Sequence, residues 1–139
     1  MVVHANHASE ITDPGREALA RLSGAGIPLL SQTVLLRGVN DTQVALTALM
    51  RRLVANRVKP YYLHQLDLAR GTGHFRVPIA EGQALVRGMR GAVSGLCQPT
   101  YVLDIPGGLG KVPIGPRYLA DAGEGGVYEV EDVSGARRR

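Results

Sequence analysis

The sequence predicts an α/β fold, a partial (β/α) barrel of about four parallel strands with intervening helices, and three observations carry that prediction. Apolar, β-rich runs alternate with runs of helical period in the order βαβαβαβ, an order that joins parallel strands by right-handed crossovers. Polar, reactive side chains stand at or after the C-terminal end of each strand: His4, Asn6 and His7 after the first, Gln32 in the second with Asn40 beyond it, His64, Gln65 and Asp67 at the third, and Asp104 and Lys111 after the fourth. Barrel enzymes build their sites on that face. Finally, 139 residues are enough for one core but fall short of the roughly 250 of a complete barrel. An open doubly wound sheet obeys a similar rule and stands as the alternative closure.

Each element has its own signature. The first strand, Val2-Val3-His4-Ala5, begins at the initiating methionine. Thr12-Asp13-Pro14 reads as a helix start, with Leu19 and Leu22 as its apolar stripe and Gly24 as its stop. The run from Ile27 to Leu36 (IPLLSQTVLL) is almost continuously apolar, as expected of a strand covered on both faces. Asn40-Asp41-Thr42 caps a second helix, with Val44, Leu46, Leu49, Met50 and Leu53 on its core face, up to about Arg57. Lys59 to His64 makes a third strand, and a glycine-rich loop follows from Gly71 to Arg76. A helix from about Ile79 to Leu96 and a fourth strand from Thr100 to Ile105 complete the series. Residues 1–119 read as the barrel portion and 120–139 as a peripheral segment with a short strand at Val127–Val130 and a basic tail.

Composition excludes several classes. The net charge of +4 owes much to Arg137, Arg138 and Arg139, so no nucleic-acid surface is expected. No apolar run approaches the roughly 20 residues that cross a bilayer, and no signal segment is recognisable, so a cytoplasmic location is expected. The single cysteine, Cys97, can form no internal disulfide and reads as a small buried hydrophobe. His4 and His7 suggest a metal pair without a third ligand of convincing spacing; solvated or hydrogen-bonded histidines are the plainer reading, and no metal is assigned to this chain.

The chemistry concentrates in DIPGGLGKVPIG, residues 104–115. Of sixteen basic residues fourteen are Arg, and one of the two lysines, Lys111, follows three glycines. Only lysine offers an amine that can lose its proton and condense with an aldehyde. A phosphate-binding P-loop is excluded, because Ile105 and Val112 stand where that motif needs Gly and Ser or Thr. Pro113 and Pro116 also oppose a following helix. The glycines would let the backbone turn beside a flat cofactor, with Lys111 presented from a loop; an exposed turn lysine is the plain alternative. Asp67 and Asp104 taken singly are ordinary loop carboxylates, and taken together they suggest a site for an ammonium group.

Three ordered blocks, GIPLLSQTVLLRGVND (26–41), VKPYYLHQLDLARGTGHFRVPIAEG (58–82) and SGLCQPTYVLDIPGGLGKVPIGPRYL (94–119), resemble the C-terminal half of the lysine 2,3-aminomutase family. The resemblance runs from about His4 to Leu119. It implies an arc of a radical S-adenosylmethionine barrel and an isomerase that uses pyridoxal phosphate (PLP) to move the amino group of L-lysine from C2 to C3. It further implies that Lys111 attaches PLP, that Asp67 and Asp104 hold the side-chain ammonium of the substrate, and that Gln32 lies close to S-adenosylmethionine.

The departures are equally informative. The family's CxxxCxxC motif for a 4Fe-4S cluster, and its arginines for the substrate carboxylate and the PLP phosphate, are not in this sequence. The resemblance therefore implies that this chain alone is inactive. Thr42 replaces a zinc-ligand cysteine of the clostridial enzymes, so no zinc is expected. His64 replaces a tyrosine, and YYLHQLD is similar to the branch that modifies a lysine of elongation factor P, which leaves the substrate open. A half-barrel would expose apolar surface and two strand edges, so a homo-oligomer or a partnering N-terminal half is expected. Two other readings remain: a non-catalytic remnant or interaction module of the same fold, and an unrelated small α/β binder of phosphate ligands.

Overall fold

The computed structural model describes residues 1–121, 123 and 126–138. Its main sheet has five strands, β1 (Val2–His4), β2 (Leu29–Val34), β3 (Val58–His64), β4 (Thr100–Asp104) and β5 (Lys111–Pro113), which lie side by side in sequence order. β1 to β4 are mutually parallel, and β5 returns antiparallel to β4. The crossovers carry helices α1 (Asp13–Gly24), α2 (Gln43–Ala55) and α3 (Ile79–Ala92). The result is a mixed α/β fold around a parallel-rich sheet, and none of the helices is long and apolar enough to cross a membrane among the described residues.

Local chemistry explains where the helices begin and end. The Thr12 hydroxyl accepts from the Gly15 amide at the start of α1, where Pro stands in the first turn. Thr42, the last residue of the predicted cap, accepts from the Ala45 amide and starts α2. The third helix stops at Ala92, short of the expected Leu96, and a separate single turn of 3-10 helix covers Gly95–Cys97. Gly91, the β-branched Val93 and the Ser94-Gly95 pair weaken helical continuation there.

All three helices pack on one face of the sheet. Leu19 of α1, Leu46, Leu49, Met50 and Leu53 of α2, and Val86 and Met89 of α3 form a single buried cluster with Leu29, Val58, Leu63 and Tyr101 of the strands. Along β2 the residues therefore alternate, with Leu29, Ser31 and Thr33 buried under the helices and Leu30, Gln32 and Val34 half-buried on the opposite face. The expectation of a second strand covered on both faces is corrected accordingly. Among the described residues no helix covers its second face, and its ends, predicted at Ile27 and Leu36, draw in to Leu29 and Val34.

Beyond the main sheet, β6 (Leu119–Asp121), β7 (Tyr128–Glu131) and β8 (Arg137–Arg138) form an antiparallel meander. The predicted strand at 127–130 is its middle member, and the predicted tail supplies its edge, where Arg138 Nε lies 2.9 Å from Asp132. Arg139 lies outside the described residues.

Candidate functional site

The open face of the sheet owes its polar character to one irregularity. In the β2–β3 pairing Ser31 lies opposite Pro60 but Gln32 opposite Tyr62, so Tyr61 is an extra residue in β3. Pro60 has no amide hydrogen to give a ladder, which makes it a natural place for a bulge. Before the bulge the even-numbered residues Val58 and Pro60 are buried; after it Leu63 is buried, and Tyr62 and His64 turn to the open side. Register then aligns Gln32 with His4 and Tyr62, Val34 with His64, and His64 with Val102.

Lys111 joins this face through a hairpin. Gly107, Gly108 and Gly110 have φ of 86°, 75° and 101°, and a Cβ added at any of them would meet nothing within 4 Å. Glycine is required there by backbone conformation and not by space. The turn is closed by the Ile105 amide donating to the Gly110 carbonyl at 2.8 Å, and it sets Lys111 directly opposite Asp104. The expectation that a loop presents Lys111 is thus corrected: Lys111 opens strand β5, too short and too near Pro113 to be recognised by alternation.

Asp104 is the hub. Its Oδ1 accepts from Lys111 Nζ, and its Oδ2 accepts from His64 Nδ1 at 2.9 Å. Lys111 Nζ lies 3.4 Å from the same ring nitrogen and 5.4 Å from the centroid of the Tyr62 ring. The bond from Lys111 holds the Asp104 carboxyl below its usual range; partial burial opposes this, and His64 reinforces it. Tyr62 donates to the Tyr61 hydroxyl at 3.0 Å, and that bond raises its own pKa.

Asp67 sits on the exposed loop after β3 and lines, together with Asp104, a cleft of about 580 Å³. The remaining walls are mostly apolar, among them Leu66, Leu68, Val77, Ile79, Leu103 and Ile105. Gln32 shares the open face but stands two strands away from Asp104 and does not line this cleft.

Several residues read from the sequence as reactive groups hold the scaffold instead. Asn40, fully buried, donates through Nδ2 to the carbonyls of Asn6 and Val34 and accepts from the Leu36 amide, each at 2.8 Å. Asn6 accepts in turn from the Val34 amide. Gln65 donates to the Val77 carbonyl at 2.9 Å and accepts from the Tyr101 hydroxyl, which burial pushes up to about 12 so that it stays a donor. His7 caps the short turn that follows it, its Nδ1 2.8 Å from Ser9 Oγ. Among the described residues no group of three His, Cys, Asp or Glu is placed to hold a metal ion.

The sequence reading missed Tyr62, which would have followed from recognising Pro60 as a bulge. It also missed the role of the second lysine. Lys59 Nζ donates to the carbonyls of Pro60, Leu96 and Gln98 at 2.9, 3.0 and 2.9 Å, and burial lowers its pKa. It ties the turn at Gly95–Cys97 to the N-terminal end of β3.

Comparison with known proteins finds relatives over most of the chain. The family model described as Lysine-2,3-aminomutase matches residues 86–128, which include Asp104, Lys111 and the hairpin between them. The L-lysine 2,3-aminomutase of Clostridium subterminale is 48% identical over 116 residues, covering 84% of this chain and 28% of that protein. The enzyme of the same name from Bacillus subtilis is 44% identical over 116 residues, 84% of this chain and 25% of its own length. The glutamate 2,3-aminomutase of Clostridioides difficile is 39% identical over 138 residues, 93% of this chain and 33% of that protein. The chain thus spans about a quarter to a third of the length of the curated relatives it matches, and over that span it belongs to the lysine 2,3-aminomutase family.

Proposed function

We propose that the chain is the portion of a 2,3-aminomutase that attaches PLP at Lys111 and grips the side-chain ammonium of L-lysine between Asp67 and Asp104, in an isomerisation that moves the amino group from C2 to C3. The observation that carries this reading is the pairing of a half-buried primary amine with Asp104 at one end of the sheet, beside a mostly apolar cleft that Asp104 and Asp67 line and Lys111 does not. The sequential strand order with all helices on one face supports an arc of a (β/α) barrel whose polar inner face is the open one. Lysine is preferred to glutamate as substrate because two carboxylates attract an ammonium and repel a side-chain carboxylate.

The residues present fit PLP at its carbonyl end. Lys111 Nζ has the Tyr62 ring beside it, and the hairpin glycines carry no side chain into the space around them. When bound, PLP supplies a conjugated system able to stabilise an unpaired electron beside the migrating nitrogen. The chain's own contribution is binding and orientation. Asp104 holds an ammonium by a charge-assisted bond, and His64 fixes the direction of that carboxylate. The apolar walls of the cleft exclude water along an alkyl chain. For S-adenosylmethionine the chain offers Gln32 on the same open face. For a 4Fe-4S cluster the fit fails: Cys97 is the single cysteine and is buried within the helix-side cluster.

Borohydride reduction in the presence of PLP, followed by peptide mapping, tests the assignment. Label is expected on Lys111 and lost in Lys111→Ala. Because Lys59 is the only other lysine and its amine is bound by three carbonyls, label on Lys59, or none, would refute it. Label on Lys111 also separates this reading from a non-catalytic remnant of the fold.

A further inference from the structure

The group that occupies Asp104 is itself an alkylammonium. We propose that Lys111 is a built-in occupant of the ammonium subsite: its Nζ holds Asp104 Oδ1 until the amine is consumed by an aldehyde, so that carbonyl capture at Lys111 and binding of an incoming ammonium at Asp104 favour one another. The inference rests on the reading of Asp104 as the acid that takes a ligand ammonium.

Hydrogen-bond logic restricts the alternatives. An ionised carboxylate only accepts, so the 2.9 Å contact makes His64 Nδ1 a donor to Oδ2. A ring nitrogen that carries its hydrogen cannot also accept from Lys111 3.4 Å away, which leaves Asp104 Oδ1 as the acceptor that fixes the ammonium. The His64 ring, 13% exposed, is held on the sheet between Val34 and Val102, so it pins one carboxylate oxygen and leaves the other pointing at β5. Among the described residues the charged and titratable groups facing Asp104 are His64 and Tyr62 from β3 and Lys111 from β5, and Lys111 is the cation bonded to Oδ1. A second ammonium at Oδ1 would lie against the first, and like charges at that separation disfavour joint occupancy.

Exchange remains feasible because the pair is not sealed off. The Lys111 and Asp104 side chains are 28% and 36% exposed. Condensation with an aldehyde first requires Lys111 to release one proton to solvent. The neutral amine then adds to the carbonyl carbon, a C=N bond forms and one water leaves, with no oxidant or reductant involved. The nitrogen is then no longer a three-donor ammonium, and Oδ1 is open to another. By linkage, whatever factor the first event adds to the second is returned by the second to the first.

The occupancy can be measured without any aldehyde. Binding of butylammonium to the full chain is followed by calorimetry or NMR for the wild type, Lys111→Met, and Lys111→Met combined with Asp104→Asn. Vacating Oδ1 should lower the butylammonium Kd at least about tenfold in Lys111→Met, as expected for one charge-assisted bond, and the double variant should lose that gain. Lys111→Gln, neutral and polar, should repeat the result if Met disturbs the open face. Equal affinity in wild type and the single variants would overturn the proposal, as would a gain that survives Asp104→Asn. Either failure is distinct from failure of the PLP assignment, which is read separately from the reduced label on Lys111.

Discussion

Replacing Gly82 by Ala should damage the fold where it supports the site. Gly82 lies on the buried side of α3, and a Cβ there would come within 2.1 Å of the Tyr101 hydroxyl, 2.6 Å of its Cζ and 2.9 Å of Leu35 Cδ2. Tyr101 is 1% exposed and cannot swing into solvent, so the ring must move and its bond to Gln65 must break or bend. Overpacking of this kind costs about 1–3 kcal/mol and the lost hydrogen bond about 0.5–1.5 kcal/mol. The helical preference of Ala over Gly returns about 1 kcal/mol, so the net destabilisation should be about 0.5–3.5 kcal/mol. At about 4 °C per kcal/mol for a chain of this size, Tm should fall by about 2–14 °C. Scanning calorimetry or thermal circular dichroism reads the change. Gly88→Ala serves as the internal comparison, because there the Cβ meets only the amide end of the Gln43 side chain, at 2.5 Å, and that flexible group can yield. If Gly82→Ala is as stable as wild type, or no worse than Gly88→Ala, the packing argument is refuted.

Other expectations follow from the same contacts. Asn40→Ala strands three backbone groups at the ends of β1 and β2 and should destabilise by about 3 kcal/mol, seen as a lower midpoint in urea; a loss within error of zero would refute the network's role. Lys59→Met leaves three carbonyls without their shared donor and should lower stability by about 1–3 kcal/mol although it removes a desolvated charge, whereas a stabilised variant would show that the charge outweighed its bonds. Lys111 and His64 depress the folded-state pKa of Asp104, so the contribution of this carboxylate is fully present above its unfolded value of about 3.9 and disappears as pH falls through the lower folded value. The stability gap between wild type and Asp104→Asn should therefore narrow below about pH 4, and a gap independent of pH would contradict the assignment.

Much of the scaffold could be read from the sequence because its signals are local. Thr12 with Pro14, and Thr42, cap helices by side chains a few residues from the amides they serve, and the segments read at 27–36 and 59–64 are long enough to mark the strands observed at 29–34 and 58–64. DIPGGLGK was legible as a site because a rare lysine follows a glycine turn. The pairing of Lys111 with Asp104 was not, since it depends on a hairpin register that a three-residue strand containing proline does not advertise. Asn6, Asn40 and Gln65 misled for a related reason: a polar side chain after a strand looks the same in sequence whether it serves an open cleft or buried backbone, and here the buried backbone claims all three. β6 and β8 are only three and two residues long, and only their pairing with β7 makes them strands.

The single extra residue at Tyr61 acts as a parity switch for everything downstream in β3. Were β3 to run on in regular pairing, with Tyr61 opposite Gln32, the phenol of Tyr62 and the imidazole of His64 would turn into the apolar layer and Leu63 would be expelled. Asp104 would then lose the neighbour that aims it. The one-residue offset between β2 and β3 is therefore as much a part of the chemistry as the identity of the side chains that it turns to the open face.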